Sequence, residues 1–429
     1  MHLTPTDQAK LDGRHGPAVQ LAMQIVVRMA QVYGATELLD ITGAHIDSTI
    51  YIGQAGLEFA ERLAGLGARV VVPTTLNVSG LDEHGYSEWP VPVAWAANAR
   101  RQMLAYQSMI GDRLDSAATW TCAPYQVAPR PAFGQQIAWG ESNAIVFANS
   151  VCGARTERYP DLLDICCAIT GRVPAAGLHL TENRAGDILV QLADIPLAVQ
   201  ADDVFYPVLG HLLGKLAGDR ILVIAGLEAQ PDEDQLKALG AAVASSGAVA
   251  LYHIVGVTPE APTLEAAFQG RAPRQTVTLR MADLRAARRE LTIAGDGALD
   301  MVVLGSPHFS LAEFRHLAAL LDQALAAGQR CHPRLRFLVT SSRMMTLLAD
   351  KAGYLAPLQA FGGQVTVDTC ILATPMLPPA TKNLMTNSAK YAYYAPGLLG
   401  ARIAFGALAD CVRSAIAGRV VVEEGVWAE

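Results

Sequence analysis

Short apolar runs alternate with helix-like segments along the chain, and this alternation restricts the possible fold more than any other feature. Residues 301–304 and 337–339 are apolar on both sides, whereas residues 232–244 and 311–327 have the period of an amphipathic helix. Strands of a parallel sheet are joined by helical crossovers and covered on both faces, so they are apolar throughout. We therefore predict an α/β fold of doubly wound, largely parallel sheets with flanking helices.

The length of the chain predicts more than one hydrophobic core. A chain of 429 residues exceeds the size at which a single core stops growing, so we expect two or three packed domains. The pattern suggests a first α/β domain over 1–200, a second over 201–375, and a C-terminal segment over 376–429 that returns to the site. A strand is predicted at 69–72 and an amphipathic helix at 401–417.

Charge and cysteine content exclude several classes of function. The 33 basic and 40 acidic residues give a net charge of -7, which provides no basic field for nucleic acid. We see no N-terminal signal, and the apolar segments are broken well short of a membrane span. The seven cysteines are odd in number and scattered, so a disulfide framework is not expected. We expect a soluble cytoplasmic protein with a small-molecule substrate and no nucleic-acid or membrane partner.

Three cysteines share a setting that suggests a site. Cys122, Cys152 and Cys370 each follow an apolar, strand-like run, at 117–120, 144–147 and 364–369. In α/β proteins, ligands bind outside the carboxyl ends of the strands. Three thiolates from three strands could hold an iron–sulfur cluster with one iron left open. The alternative is three buried core cysteines, which spacing alone favours because the chain has no Cys-x-x-Cys pair.

A set of longer motifs changes that balance. The motifs run in order over nearly the whole chain and include Thr121-Cys122-Ala123-Pro124-Tyr125. The full set lies at residues 43–45, 53–59, 72–77, 121–125, 138–142, 148–155, 168–172, 253–263 and 386–391. On these motifs the chain resembles the large catalytic region of aconitase X, a divergent branch of the aconitase superfamily.

The resemblance implies an iron–sulfur dehydratase. Members act on cis-3-hydroxy-L-proline in bacteria and on mevalonate 5-phosphate in archaea. The archaeal pattern takes its thiols from Thr-Cys-x-Pro-Tyr, Cys-Pro-His and Asp-Thr-Cys motifs; this chain keeps the first and last as Cys122 and Cys370 but has Ser306 in the second. The resemblance thus implies that the third ligand has moved to Cys152. It also favours the hydroxyproline branch, which it associates with a 2Fe-2S cluster, with 3Fe-4S and 4Fe-4S as alternatives.

The candidate site residues come from these motifs and from polar loops that follow predicted strands. Candidate catalytic residues are Ser306, His308 and Lys390, the last in a loop predicted at 386–394. Arg155 suits a carboxylate because a guanidinium donates two parallel hydrogen bonds, whereas a surface salt bridge with Glu157 explains Arg158 equally well. The candidate substrate-binding residues are Gly43, His45, Asp47, Ser48, Thr75, Asn77, Asn149, Ser150, Arg155 and Ser388. Many of these types are also ordinary turn residues.

The implied reaction is a hydro-lyase dehydration of cis-3-hydroxy-L-proline to pyrroline-2-carboxylate. Iron would act as Lewis acid on the leaving hydroxyl, and a general base must lie opposite it. No residue of the sequence identifies that base. Aconitase-type enzymes complete the site with a small swivelling domain that this chain does not resemble, so we expect a separate small subunit. The alternatives are the large subunit of a mevalonate 5-phosphate dehydratase and a non-catalytic cluster-binding sensor or scaffold.

Overall fold

Strands and helices alternate through most of the chain and gather into three units that follow one another in sequence. The computed structural model describes residues 1–111, 113, 115–293 and 297–428. Each unit has its own parallel sheet with flanking helices. The predicted α/β class is therefore confirmed.

The first unit holds a three-stranded parallel sheet and a separate antiparallel strand pair. Its elements are α1 (Pro5–Leu11), α2 (Pro17–Val32), β1 (Leu38–Asp40), β2 (Ala44–Ile46), α3 (Gln54–Gly65), β3 (Thr74–Leu76), α4 (Val93–Ile110), β4 (Ala138–Trp139), α5 (Ser142–Val146), α6 (Leu163–Thr170) and β5 (Arg172–Pro174). The sheet has the order β3-β2-β4, and β1 pairs with β5. Because these strands are only two or three residues long, the helices supply most of this unit's buried apolar surface.

The second unit is a regular alternation around a four-stranded sheet. Its elements are β6 (Ile188–Leu192), α7 (Leu197–Gln200), α8 (Phe205–Ala217), β7 (Leu222–Ala225), α9 (Glu233–Ser246), β8 (Tyr252–Ile254), α10 (Leu264–Ala267), β9 (Gln275–Leu279) and α11 (Met281–Glu290). The strand order is β8-β7-β6-β9 and all three pairings are parallel.

The third unit contains the largest sheet. Its elements are β10 (Met301–Leu304), α12 (Leu311–Ala326), β11 (Arg336–Ser341), α13 (Arg343–Lys351), α14 (Leu355–Phe361), β12 (Gly363–Val367), β13 (Asn383–Thr386), α15 (Ala389–Leu399), β14 (Arg402–Phe405) and α16 (Leu408–Ala417). The order β12-β11-β10-β13-β14 is parallel throughout. Loops at the carboxyl ends of these strands carry His308, Cys370 and Ser388, where an α/β sheet presents its ligand sites.

One apolar core joins the second and third units. Val303 and Leu384 of the third unit belong to the same buried cluster as Ile188 and Leu209 of the second. Strand β10 is buried along its whole length because helices cover both faces of its sheet. Each large aliphatic side chain buried in this way contributes about 1.5–3 kcal/mol. The shared core fixes the two units relative to each other.

The structure divides the chain differently from the predicted boundaries at 200 and 375. Strand β6 begins at Ile188 and pairs with β7 and β9, so it belongs to the second unit. Strand β13 pairs with β10 and β14, so the C-terminal segment completes the third sheet. Neither feature could be predicted from the sequence. The residues before 200 show only a weak hydrophobic pattern, and the last two strands are only four residues long.

Three local predictions are corrected. Residues 69–72 form no strand; β3 follows at Thr74–Leu76, so Thr75 lies in a strand and not in a loop. The helix predicted at 401–417 is strand β14 followed by α16, because a short apolar strand and the first helical turn share one apolar run. The loop predicted at 386–394 is mostly the start of α15, which Ser388 caps by accepting the backbone N–H of Tyr391.

The described residues contain neither a membrane-spanning helix nor a disulfide. No helix there is long and apolar enough to cross a membrane. All seven cysteines lie in the described ranges, and none is joined in a disulfide.

Candidate active site

Two of the three predicted thiols meet where the first and third units touch. Cys122 follows Thr121 in the first unit, and Cys370 follows the end of β12 in the third; both are partly buried. Burial raises the pKa of the Cys122 thiol to about 12, Glu141 and Cys370 add to the rise, and Lys390 opposes it. Burial also raises the pKa of Cys370, again against Lys390. The positive charge of Lys390 thus acts on both thiols, and Cys370 acts on Cys122.

His308 connects the two chain segments that carry these thiols. Its backbone N–H donates to the Sγ of Cys122 at 3.3 Å. Its Nε2 lies 2.9 Å from the carbonyl oxygen of Thr369, and its Nδ1 lies 3.0 Å from the hydroxyl of Thr121. A carbonyl only accepts, so Nε2 carries the proton and Nδ1 accepts from Thr121.

The same contacts bear on the predicted catalytic role of His308. Burial lowers the pKa of His308 to about 4, so the ring is neutral. Both ring nitrogens are hydrogen-bonded to protein, which leaves neither in position to take a proton from a substrate. The structure therefore supports a positioning role for His308 in place of the predicted catalytic one.

Lys390 forms a buried ion pair with Glu141, which connects α15 of the third unit to the first unit. Lys390 Nζ lies 2.5 Å from Glu141 Oε1, and their side chains are 11% and 8% exposed. Burial alone would lower the pKa of Lys390, but the charges of Glu141, Cys122 and Cys370 outweigh it and hold that pKa above its usual value. The lysine is thus a fixed positive charge beside the thiol pair.

Glu141 is a residue of the site that sequence reasoning did not single out. Its φ of 67° lies in the left-handed region, which is uncommon for a residue with a Cβ. Its second oxygen accepts the backbone N–H groups of Asn143 and Ala144 and so caps α5. The preceding Gly140 is required because a Cβ there would lie 2.7 Å from that of Asp47. Glu141 is part of the motif at 138–142, which could have drawn attention to it. Its ion-pair partner, however, is 249 residues away in the chain, so no local pattern indicates the contact.

Asn143 anchors the Cys122 segment from the same helix. Its Nδ2 donates to the Cys122 carbonyl oxygen at 2.8 Å, and its Oδ1 accepts the Tyr125 hydroxyl at 2.7 Å. The Tyr125 ring in turn stacks on Phe147 with centroids 3.7 Å apart. The Cys122 loop is therefore fixed by contacts to α5 and to the helical turn that follows it.

Cys152 has different surroundings from the other two thiols. The apolar run 144–147 is helical, not a strand, and leads into a π-helical turn, Phe147–Val151, before Cys152. Burial raises the pKa of Cys152 to about 11, and the charges nearest to it are Arg130 and Glu233. Within the described residues no three His, Cys, Asp or Glu side chains form a group able to hold a metal ion. The role of Cys152 as third ligand thus stays a prediction.

His45 lies in strand β2, and Asp47 and Ser48 lie in the single helical turn Asp47–Thr49 that follows it, so these predicted residues do not form a loop. Two of them make interior contacts and one faces a cavity. His45 is fully buried, with Nδ1 2.8 Å from the Thr75 hydroxyl, and burial lowers its pKa to about 3. Ser48 donates to Asp164 at 2.9 Å. Asp47 lines a small cavity and accepts a hydrogen bond from the amide of Asn77.

The three predicted residues of the 148–155 motif hold the backbone of their own region. The amide of Asn149 donates to the carbonyl oxygens of Thr156 and Ala250 at 3.0 and 2.9 Å. The Ser150 hydroxyl accepts the Tyr252 N–H at 2.9 Å. Arg155 donates to the carbonyl oxygen of His179 at 3.2 Å and to the Thr181 hydroxyl at 2.6 Å. None of these contacts reaches the thiol pair.

Ser306 and Ser388 lie side by side at the carboxyl edge of the third sheet. The Ser388 hydroxyl donates to the carbonyl oxygen of Ser306. Both residues line a cavity of about 250 Å³ between the second and third units, which Lys237 also lines. A Cβ at Gly43 would lie 3.6 Å from the carbonyl oxygen of Pro73 and 3.9 Å from Cγ2 of Ile137.

All three units match domain models of one protein family. Family models described as Aconitase X first, second and third domain match residues 1–182, 186–289 and 299–417. These ranges agree with the three sheets of the structure.

Individual relatives extend the comparison. A cis-3-hydroxy-L-proline dehydratase from Pseudomonas aeruginosa is 50% identical over 98% of this chain and 71% of its own length. The enzyme of that name from Hypocrea jecorina is 44% identical over 97% of this chain and 69% of its own length. A phosphomevalonate dehydratase large subunit from Methanothermobacter thermautotrophicus is 36% identical over 93% of this chain and 95% of its own length.

A solved structure agrees with the fold in detail. The holo-form crystal structure of Thermococcus kodakaraensis aconitase X superposes with a TM-score of 0.86 at 32% sequence identity. The match covers 97% of this chain and 100% of that one.

Proposed function

The chain belongs to the aconitase X family of dehydratases, and we propose that it removes water from cis-3-hydroxy-L-proline to give pyrroline-2-carboxylate. The observation that carries the proposal is the 50% identity over 98% of the chain with the Pseudomonas aeruginosa enzyme of that activity. The phosphomevalonate relative reaches only 36%. Both comparisons agree on a carbon–oxygen lyase.

Cys122 and Cys370 supply two of the thiols that we propose hold an iron–sulfur cluster. Two thiols face the same lysine, and one of them accepts a backbone N–H from His308 at 3.3 Å. Hydrogen bonds to cluster sulfurs and nearby positive charge are the usual means by which a protein stabilises such a group. When bound, the cluster supplies an iron that acts as a Lewis acid on the substrate hydroxyl. Because Ser306 replaces a thiol of the archaeal motif, we favour a 2Fe-2S cluster.

The residues around the thiols have separable tasks. Lys390 offsets the negative charge of two thiolates, and Glu141 fixes the position of Lys390. His308 keeps the Cys122 and Cys370 segments in register by hydrogen bonds to Thr121 and Thr369. These groups arrange the site before a substrate enters, and preorganised charge of this kind is a large contributor to catalysis.

Proton removal from the substrate carbon needs a base that the described site does not supply. We propose that a small swivelling domain, in a separate subunit, brings a catalytic serine to this site. The supporting observation is that the archaeal relatives are named large subunits. We also propose that the protein works in a reducing cytoplasm. Its seven cysteines form no disulfide in the described ranges, which is compatible with that compartment.

The proposal is tested by assaying the anaerobically reconstituted protein with its small partner on both substrates. Consumption of cis-3-hydroxy-L-proline with formation of pyrroline-2-carboxylate is the expected result, and the same protein without reconstitution is the matched control. Consumption of mevalonate 5-phosphate alone would replace the proposal with the archaeal activity. A reconstituted complex inert towards both substrates would favour a cluster-binding sensor.

A further inference from the structure

A cavity of about 150 Å³ beside Glu141 carries side chains of both charges. Asp47, Asp161 and Arg158 line it together with Glu141 and Asp164. Asp161 is exposed, whereas Glu141 is 7% exposed. The cavity therefore leads from the surface towards the ion pair that adjoins the thiols.

The carboxylates of the cavity differ in how well they are paired. Asp164 accepts the backbone N–H groups of Asp47, Ser48 and Ile165 as well as the Ser48 hydroxyl. Glu141 is paired with Lys390. Such partners compensate a buried charge.

Asp47 has no comparable compensation. Among the described residues, its side chain accepts a hydrogen bond only from the amide of Asn77. Asn77 is 2% exposed, and its own Oδ1, beside Asp47, has no partner there. Burial, together with Glu141 and Asp164, raises the pKa of Asp47 to about 7. An ammonium group placed in the cavity beside Asp47 would compensate the charge of this carboxylate and favour its ionised form.

Arg158 is the complementary group on the same cavity. Its Nη1 donates to the carbonyl oxygen of Ala244 at 3.3 Å. Across the described ranges it forms no ion pair with a carboxylate, including that of its neighbour Glu157. A guanidinium with unused N–H groups is well suited to bind a carboxylate.

We propose that this cavity receives the amino-acid end of the substrate, with the ring ammonium at Asp47 and the carboxylate at Arg158. The inference rests on the proposed function and deepens it by assigning the charges of the substrate to named residues. In cis-3-hydroxy-L-proline both charges adjoin the carbon that loses its proton, and the hydroxyl is on the next carbon. Phosphomevalonate has negative charge at both ends and no cation, so the acidic cavity also selects against it.

The test compares two ligands that differ only in the charge of the ring atom. L-Proline has an ammonium where (S)-tetrahydrofuran-2-carboxylate has an ether oxygen, and both are titrated calorimetrically into the reconstituted complex. We expect the wild type to bind L-proline more tightly by about tenfold or more, as for a hydrogen bond between charged groups. The Asp47→Asn variant should lose that preference and bind the ether as the wild type does. Arg158→Gln should weaken both ligands together.

Matched controls separate this inference from folding and from the proposed function. Asp322→Asn removes an exposed carboxylate of α12 and should leave both affinities unchanged. If Asp47→Asn does not fold, Arg158→Gln decides: unchanged binding of both ligands overturns the inference. An Asp47→Asn complex that keeps the full preference for L-proline overturns it as well, even where hydroxyproline is still dehydrated. Absence of turnover in the wild type refutes the function but leaves the binding comparison valid.

Discussion

Two buried lysines, Lys390 and Lys237, each tie one unit of the molecule to another through carboxylates. Lys237 of α9 is 3% exposed and pairs with Asp234 at 2.7 Å and with Glu313 of the third unit. Lys390 pairs with Glu141 of the first unit and also faces two thiols. Both have a pKa above the usual value because neighbouring negative charge outweighs burial.

The two lysines differ in the charge balance of the groups that surround each ion pair. Lys237 has two carboxylates, Asp234 and Glu313, and burial raises the pKa of Glu313 to about 7, so a proton on that carboxyl makes the group neutral without a ligand. Lys390 has one carboxylate and two thiols, and the thiols become charged when they bind metal. A buried ion pair with shifted pKa values is weak support for function by itself, because purely structural ion pairs shift pKa values as well. The Lys390–Glu141 ion pair indicates a site because it lies beside two thiols that can still bind a metal ion.

Replacing Lys390 should produce the largest effect on activity. Lys390→Met removes the fixed cation beside the thiols, and we expect kcat/KM to fall by about 10³-fold, as when a preorganised electrostatic group is lost. Steady-state assays of the reconstituted complex measure this. Lys351→Met, at an exposed helix position, is the control. Activity within a few-fold of the wild type would make the two lysines equivalent.

Replacing Lys237 should instead affect stability. Lys237→Met leaves Asp234 and Glu313 without their cation, and breaking a buried pair in this way costs about 3–5 kcal/mol. Urea unfolding followed by circular dichroism measures the loss. Activity per folded molecule should remain near that of the wild type. A variant with normal stability and no activity would move the site towards Lys237.

His308 should show an intermediate effect. His308→Ala removes two side-chain hydrogen bonds but keeps the backbone N–H to Cys122, so we expect a loss of about 1–3 kcal/mol in stability and weaker retention of iron. His316→Ala, at an exposed position of α12, serves for comparison. Full iron content with abolished turnover would instead indicate that His308 acts as a general acid or base.

The smallest effect concerns the pH dependence of stability. Asp47 faces Glu141, Asp161, Asp164 and the Asn77 amide, and its pKa is raised from 3.8 to about 7. Between these values the folded chain holds a proton that the unfolded chain has lost, so its contribution to stability falls as the pH rises. Asp47→Asn should reduce this fall by about 1 kcal/mol, because the partly exposed carboxylate is screened. Identical slopes for the two proteins in urea unfolding would contradict the raised pKa.

The sequence predicted residues 301–367 of the third unit well and the first unit poorly, for a physical reason. Strand β10 is a continuous apolar run, β11 contains one at 337–339, and the boundary signals of α12, including the Ser310 and Glu313 capping box, are local. In the first unit the strands have two or three residues, too few to show a period. The apolar run 144–147 is compatible with a strand or a helix. It forms a helix here because Glu141 caps its N-terminus.

The site could be predicted only where one motif carries the chemistry. The surroundings of Cys122 and Cys370 are consistent with the motif-based expectation, and Lys390 belongs to the separate motif at 386–391. Glu141 acquires its role from a partner in another unit, and no local pattern reports such a contact. His45 and Ser48 have polar side chains that suit a ligand, but the fold uses them for interior hydrogen bonds.

The central claim is that Cys122 and Cys370 together hold the cluster, and iron content tests it most directly. Iron and sulfide are measured after anaerobic reconstitution of Cys122→Ala, Cys370→Ala and Cys331→Ala, the last a partly buried cysteine of the third unit's core. The account predicts that the first two variants lose the cluster and its visible absorption while Cys331→Ala keeps both. Wild-type iron content in either Cys122→Ala or Cys370→Ala would contradict it.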